Sequence, residues 1–432
     1  MNFKQANSPS LRISRINVII FILMNMTFLI GFYFLYKISY TPSISTQLIL
    51  HNYLKHEKFL QINIFFYKYF NKEYISYIIL LFIYNYSNIY KSFILYSIIL
   101  ISKFISGFLQ LIYRNYPLYY SEKMNFYYIE KYSYSFPAEN LILSPIFFYI
   151  TWKIIVKKIS KKKMNQKIIL FIFFIIYNLL LPLNQFFLGL LSISEIFFSI
   201  LLSFSIYYLF YYVIKINFSN SNQFFKIIRS KLRIILLILI FIFLCEIVTY
   251  NYTFKEEKLI IEELKNQNKT KTISEDLSFS NYAFFKTLPF YTIFFAFLGF
   301  KYELQYLCLD KYTIWAQYNF DNDEINNDNS FSNDLNDISL IDKISITKET
   351  QWNHTENKIS FIRLLCLIYF ISMILIPGNF YNFKNNIYIN TLIREFFPWC
   401  IISIGGTYGF KILFKKLGLI NLTLETMLRE TI

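Results

Sequence analysis

Residues 232–250 read LRIILLILIFIFLCEIVTY, an almost unbroken apolar run of the length that crosses a lipid bilayer. Similar runs recur along the chain and predict an all-α, polytopic transmembrane helix bundle of about ten spans. The predicted spans are 17–36, 74–90, 92–112, 141–156, 168–183, 192–214, 232–250, 284–300, 359–377 and 396–413. The region 74–112 is divided near Ser87 and Asn88, because an unbroken helix of that length would far overrun one bilayer.

The composition argues against several classes of protein. The 432 residues are 55% hydrophobic and 21% aromatic, which is unusual for a soluble domain. The formal net charge of +16 does not indicate a nucleic-acid partner, because the basic residues lie beside the apolar runs rather than on one soluble face. The four cysteines lack a metal-binding spacing, so we expect buried thiols, no metal site and no cofactor.

Basic residues in short loops predict the orientation of the chain. The segment 157–167 holds six lysines and no acid, which places it in the cytoplasm. The span at 17–36 lacks a small-residue cleavage site and is predicted to be an uncleaved anchor. Ten alternating spans then place both termini in the cytoplasm and the loops 113–140 and 184–191 on the lumenal side. Residues 321–350, which are rich in acids, Asn and Ser, are predicted to be a disordered cytoplasmic loop.

A polar segment, Ser135-Phe136-Pro137-Ala138-Glu139-Asn140, opens the apolar run at 141–156. It resembles the P-S-G-H motif of the type-2 phosphatidic acid phosphatase superfamily, a family of membrane lipid phosphatases. The aromatic-Pro pair that is usual in the family is kept. Ala138, Glu139 and Asn140 stand at the Ser, Gly and His positions.

A second polar segment, residues 184–195 with the sequence NQFFLGLLSISE, opens the span at 192–214. It resembles the third motif of the same family, S-R-x5-H-x3-D. Gln185 stands at the Arg position, Leu191 at the His position and Glu195 at the Asp position. A Leu-Gly pair that is frequent in the family lies between them.

The first motif of the family, K-x6-R-P, has a fainter counterpart. With Pro117 as its proline, Tyr116 stands at the Arg position and Leu109 at the Lys position, while Arg114 lies near but out of phase. The Tyr-rich stretch that follows contains Glu130 and resembles sphingosine-1-phosphate phosphatases.

The resemblance implies a division of the chain into three parts. Residues 1–73 form an anchor span and a lumenal loop, and residues 74–216 form a six-helix core similar to lipid phosphatases. Residues 217–432 add four further spans and the acidic loop. The resemblance covers mainly residues 75–216. The three motif-like segments all lie on the predicted lumenal side.

Family chemistry implies that hydrolysis is lost here. In the family, Lys and Arg hold the phosphate oxygens, one His attacks phosphorus, another protonates the leaving alkoxide, and Asp orients the nucleophile. Leu191 is not a nucleophile and Asn140 is not an acid, so no catalytic position is intact. Loss of a nucleophile alone costs on the order of 10⁶ in rate in a well-studied catalytic triad. Glu139 adds negative charge where a phosphate should bind.

Four residues are predicted to contact a bound lipid or lipid phosphate: Arg114, Asn140, Gln185 and Glu195. For Glu195 the sequence leaves two interpretations open. A buried intramembrane carboxylate usually marks function, whereas a carboxylate at the start of a helix is also favoured as a cap.

The predicted function is that of a catalytically silent relative of lipid-phosphate phosphatases in the endoplasmic reticulum or another endomembrane. It would bind membrane lipids or scaffold an unidentified protein partner, with no nucleic acid. The alternatives are an active but divergent sphingosine-1-phosphate or lipid-phosphate phosphatase, a membrane transporter, and a purely structural scaffold. The transporter is disfavoured by the few charges in the spans, where Glu195 and Glu246 are the main acids.

Overall fold

The structure is a computed structural model that describes the following residues: 30–31, 33–34, 38, 61–66, 74–86, 89–115, 134, 136–158, 164–188, 190–217, 221–266, 279–302, 357–380 and 392–419. Almost all of these residues are helical and none of them forms a strand, which confirms the predicted all-α class. An α-helix satisfies its own backbone polar groups, as a lipid environment requires.

The longer elements are eleven α-helices and two π-helical turns within the described ranges. The helices are α1 (Tyr74–Tyr86), α2 (Ile89–Tyr113), α3 (Glu139–Lys158), α4 (Met164–Phe187), α5 (Ile193–Asn217), α6 (Ser221–Asn266), α7 (Phe279–Tyr291), α8 (Ile293–Tyr302), α9 (Asn357–Phe380), α10 (Phe397–Ile404) and α11 (Phe410–Lys416). The π-helical turns Leu392–Phe396 and Gly405–Gly409 flank α10. α1 and α2 are separate helices, in agreement with the division predicted near Ser87.

Several helices are long and apolar enough to cross a membrane, as expected of an integral membrane protein. In the described part of the chain there are five: Ser92–Tyr113, Asn165–Phe187, Lys231–Lys258, Phe279–Tyr302 and Phe397–Phe414. Each overlaps a predicted span. Shorter apolar helices at Ile75–Asn85, Ile193–Tyr208 and Ile359–Leu375 overlap three more. The total of ten spans stays a prediction.

Some sequence predictions concern segments outside the described residues. The anchor span at 17–36 lies largely there, as do part of the lysine-rich segment 157–167 and the whole of the acidic segment 321–350. The orientation of the chain and the disorder of the acidic segment therefore stay predictions. Within the described residues, α4 and α6 expose many large apolar side chains, for example Phe173 and Phe241, as lipid-facing helices do.

The chain forms two compact units. Unit 1 comprises residues 1–72 and 113–219, and unit 2 comprises residues 73–112 and 220–432. Residues 74–112 group with the C-terminal half of the chain, whereas the predicted boundaries lie at 73 and 216. The predicted lipid-phosphatase-like core at 74–216 stays a prediction.

Unit 1 is built around α3, which packs against both α4 and α5. The Ser144 hydroxyl donates to the Asn178 side-chain carbonyl at 2.9 Å and joins α3 to α4. The Phe148 ring meets the Tyr177 ring edge to face, with 4.8 Å between centroids. This packing places the beginnings of α3 and α5, where the two motif-like segments lie, within one folded unit.

Unit 2 packs α6 against α7 and α8, α8 against α10, and α9 against α1 and α10. Pro289 lies inside α7 and is followed by a turn in which Thr292 N donates to Pro289 O at 3.1 Å. The turn at Thr292 divides the apolar stretch 279–302 into two helices.

Candidate functional site

The second and third motif-like segments meet at the start of α3 and α5. The Ala138 backbone N–H donates to Ser199 Oγ at 3.3 Å, and Ser199 Oγ donates to the Glu195 carbonyl at 2.8 Å. The rings of Phe136 and Phe198 pack edge to face with centroids 5.0 Å apart. The two segments therefore form one region of unit 1, which we call the motif end.

Glu195 forms a reciprocal cap at the first turn of α5. The Ser192 backbone N–H donates to the Glu195 carboxylate at 2.7 Å, and the Glu195 N–H donates to Ser192 Oγ at 3.3 Å. This is the capping box that a Ser-x-x-Glu sequence favours. Glu195 is 1% exposed. Of the two interpretations left open by the sequence, the geometry shows the helix cap.

The second-motif positions begin α3. The Ala138 carbonyl accepts bonds from the N–H groups of Leu141 and Ile142, each at 3.2 Å, and so opens the helix. Glu139, the first residue of α3, is 6% exposed, and Asn140 is half-buried. A carboxylate in the first turn is favoured by the helix dipole. It also occupies the kind of helix start that would otherwise attract a phosphate.

Gln185 and Leu191 are both buried at the end of α4 and just beyond it. The Gln185 backbone carbonyl accepts a bond from Leu190 N at 3.0 Å, so the chain turns sharply between them. The neighbouring Asn184 amide donates to the Asn63 carbonyl at 2.8 Å. Leu191, which stands where the family motif has its histidine, is therefore a buried apolar side chain.

The first-motif positions are divided between the two units. Arg114 follows α2 in unit 1, is half-buried and has a positive φ of 54°. Leu109 lies in α2 in unit 2 and is half-buried. Tyr116 and Pro117 lie outside the described residues. The assignment of Leu109, Tyr116 and Pro117 to the first motif stays a prediction.

Unit 2 contains a buried carboxylate in the middle of a membrane-spanning helix. Glu246, in α6, is 0% exposed. The hydroxyls of Thr287 and Tyr291, both in α7, donate to its two carboxylate oxygens. Glu257, further along α6, accepts bonds from the backbone N–H groups of Phe279 and Ser280 at 2.7 and 2.9 Å and caps α7.

Several buried basic residues in unit 2 were not predicted from the sequence. Arg363 is 0% exposed, and its guanidinium donates to the Asn85 side chain at 2.8 Å and to the Asn85 carbonyl at 2.9 Å. Lys103 lies against the Tyr77 and Trp399 rings, at 5.6 and 5.7 Å from their centroids. Lys411 is also buried. The available signal was a basic residue inside an apolar run, which marks function or specific packing in a membrane helix.

Among the described residues, no group of three or more His, Cys, Asp or Glu side chains could hold a metal ion. Comparisons with known proteins identify no relative: no protein family, curated protein or solved structure matches this chain. The likeness to lipid phosphatases therefore rests on the residues and their spacing.

Proposed function

We propose that this chain is an endomembrane protein with a lipid-phosphatase-like core that no longer hydrolyses lipid phosphates and instead binds a membrane lipid. The observation that supports this proposal is the motif end. Two segments far apart in sequence, each with the family spacing, lie together there, because Ala138 of the first donates to Ser199, just after the second. The residues needed for the reaction are replaced at that place.

Loss of hydrolysis follows from the chemistry of the motif end. Leu191 is buried and has no nucleophilic atom, and the Glu195 carboxylate holds the start of α5 rather than a histidine. Glu139, at the start of α3, adds negative charge that would repel a phosphate dianion. Among the described residues of the motif end there is no histidine that could attack phosphorus.

In this proposal the lipid is contacted by Arg114, Asn140 and Gln185, while Glu195 keeps the start of α5 in place. Arg114 supplies the positive charge that would favour an anionic headgroup. The two amides supply both donors and acceptors for a polar headgroup. The substrate class of the family suggests a phosphosphingolipid or another lipid phosphate as the ligand.

Phosphate release tests the loss of hydrolysis. Purified protein in micelles is incubated with sphingosine-1-phosphate, phosphatidate or dolichyl pyrophosphate, and free phosphate is measured against empty micelles. We expect no release above the blank. Turnover of any of the three substrates would support the active, divergent phosphatase instead.

Lipid retention tests the binding role with a matched pair on one helix. Gln185 is buried at the end of α4, and Gln166 is exposed near its beginning. We expect Gln185→Ala to lower the lipid phosphate that copurifies, and Gln166→Ala to leave it unchanged. If the wild type and both variants retain no more lipid than a lipid-free control protein, the result favours a scaffold that binds a protein partner.

We place the protein in the endoplasmic reticulum or a related membrane with both termini in the cytoplasm. The lysine-rich segment 157–167 supports this orientation, because positive loops remain on the cytoplasmic side. Epitope tags at each end, probed before and after selective permeabilisation of the plasma membrane, test it. Both tags should be detected as soon as the plasma membrane is open.

A transporter is the second candidate, and the buried ionisable side chains of unit 2 favour it. Glu246, Arg363 and Lys411 are all buried, and such groups in a membrane often line an ion or substrate pathway. Proton flux into proteoliposomes decides between the candidates. A transporter should show flux that Glu246→Gln abolishes, whereas the lipid-binding proposal expects none in either protein.

A further inference from the structure

A cavity of about 80 Å³ lies within unit 2. Its wall is formed by side chains of α1, α2, α8, α9, α10 and α11 together with the π-helical turn Gly405–Gly409. The lining includes Leu80, Phe93, Ala296 and Leu367, and is almost entirely apolar. Protein interiors are close-packed, so an unfilled space at a junction of this many helices requires an explanation.

The hydroxyl groups on the cavity wall are already used. The Tyr84 hydroxyl donates to the Gly406 carbonyl at 2.8 Å. The Tyr96 hydroxyl shares a hydrogen bond with Ser403 Oγ at 2.7 Å, and Thr407 Oγ1 donates to the Ser403 carbonyl at 2.9 Å. A buried water needs two to four polar partners, which this wall does not offer. The occupant that fits the wall is therefore a hydrocarbon.

The surroundings of the cavity supply such an occupant. Three of the stretches that line it, Ser92–Tyr113, Phe279–Tyr302 and Phe397–Phe414, are long and apolar enough to span a membrane. In a bilayer, stretches of this kind are surrounded by acyl chains. Leu80 and Ile371 line the cavity and are only half-buried, so the cavity borders the surface of the unit.

The π-helical turn Gly405–Gly409 contributes part of the cavity wall. Its residue Gly406 lines the cavity, and a Cβ atom there would meet nothing within 4 Å. By contrast, a Cβ atom on Gly299 of α8 would lie 2.0 Å from Thr407 Oγ1, so α8 packs tightly against the same turn. Single π-helical turns are frequent at functional sites because they widen a helix locally.

We propose that the cavity of unit 2 binds the terminal methylene groups of one acyl chain of a bilayer phospholipid. This inference is independent of the proposed function, because it concerns hydrocarbon recognition in unit 2 and not a headgroup at the motif end of unit 1. It assigns a role to the Gly405–Gly409 turn, which the motif resemblance does not use.

Photocrosslinking tests the proposal with two matched glycines. The full chain is reconstituted in phosphatidylcholine vesicles that contain a phosphatidylcholine with a diazirine at the end of one acyl chain, and labelled residues are mapped by mass spectrometry. Gly406 and Gly409 lie in the same π-helical turn and have equally open Cβ positions, but only Gly406 lines the cavity. We expect Gly406→Leu to lower labelling of Ala296 and Leu367 by about tenfold, and Gly409→Leu to leave it unchanged.

Two results would overturn the proposal. One is labelling confined to outward-facing residues such as Phe397 and Ile401, which would indicate surrounding bilayer lipid only. The other is equal labelling of the cavity residues in the two variants. Thermal unfolding in micelles shows whether each variant folds. If a leucine variant does not fold, the alanine pair Gly406→Ala and Gly409→Ala is used instead. In the alanine pair, labelling of the cavity residues should again be lower in the Gly406 variant, by a smaller factor.

Discussion

Glu195 in unit 1 and Glu246 in unit 2 are both buried carboxylates in apolar helices, yet they are satisfied in different ways. Glu195 accepts a hydrogen bond from Ser192 three residues before it, at the start of its own helix. Glu246 lies in the middle of α6 and accepts bonds from Thr287 and Tyr291, about forty residues away in α7. The first interaction is local and the second is tertiary.

The comparison shows that burial alone does not identify a functional carboxylate. A helix start carries unpaired N–H groups, so an acid there has a structural partner available at once. In mid-helix the backbone is already paired, and the acid must find side chains from another helix. Glu246 is therefore the carboxylate in this pair whose placement calls for a role beyond capping.

Glu246→Ala should have the largest effect on stability. It leaves the hydroxyls of Thr287 and Tyr291 without their acceptor and opens a cavity between α6 and α7, so we expect a loss of about 2–4 kcal/mol. Denaturant unfolding in micelles measures this loss. Glu246→Gln keeps an acceptor oxygen and the volume, and should lose less than half as much. Equal losses would show that charge rather than hydrogen bonding matters.

Gly107→Ala tests the close approach of α2 to α7 in the same unit. A Cβ atom at this position would lie 2.6 Å from Thr287 Cγ2 and 2.7 Å from the Ala283 carbonyl. Because part of the obstacle is backbone, we expect a loss of about 1–3 kcal/mol from overpacking. Gly409→Ala is the control, since nothing lies within 4 Å of its Cβ position. An unchanged melting temperature in Gly107→Ala would contradict this packing.

Glu195→Ala should cost about 1 kcal/mol, the usual value of a helix cap. The Ser192 N–H loses its acceptor, and the start of α5 should fray. Glu195→Gln retains an acceptor oxygen and should keep most of the stability. Amide hydrogen exchange at residues 192–196 localises the effect. If exchange there stays slow in Glu195→Ala, the cap does not hold the start of α5.

Ser199→Ala should have the smallest effect, about 0.6 kcal/mol, the typical value of an interhelical hydrogen bond in a membrane protein. It removes the acceptor of the Ala138 N–H and with it a hydrogen bond that joins the start of α3 to α5. Ser203 is a matched control on the same helix, because its buried hydroxyl finds no partner among the described residues. Ser203→Ala should be neutral or slightly stabilising. If Ser203→Ala lost more stability than Ser199→Ala, the Ala138–Ser199 hydrogen bond would not hold the motif end together.

The helical class and most of the described membrane-crossing stretches were predictable because apolar length is a local property. The runs at 92–112, 168–183, 232–250, 284–300 and 396–413 all recur as apolar helices of spanning length. The Glu195 cap could also be predicted, because Ser-x-x-Glu before an apolar run is a local sequence signal for a helix start.

The polar interior of unit 2 was not predictable in the same way. Arg363 and Asn85 are 278 residues apart in sequence, and no spacing rule connects them. The grouping of residues 74–112 with the C-terminal half is likewise decided by which helix faces fit together. Helix faces in a uniformly apolar chain show little periodic contrast, so the sequence contains little information about neighbours.

The sequence alone determines that this protein is a set of apolar helices. It also contains two segments whose order and spacing resemble those of lipid phosphatases but whose side chains lack the family's reactive groups. The tertiary structure decides that these two segments meet, that Glu195 closes a helix start, and that Glu246 and Arg363 find partners in other helices. The physical reason is that helix formation and capping depend on neighbours along the chain. The pairing of buried polar groups depends on which helices pack together, because only that packing can replace the water they lose.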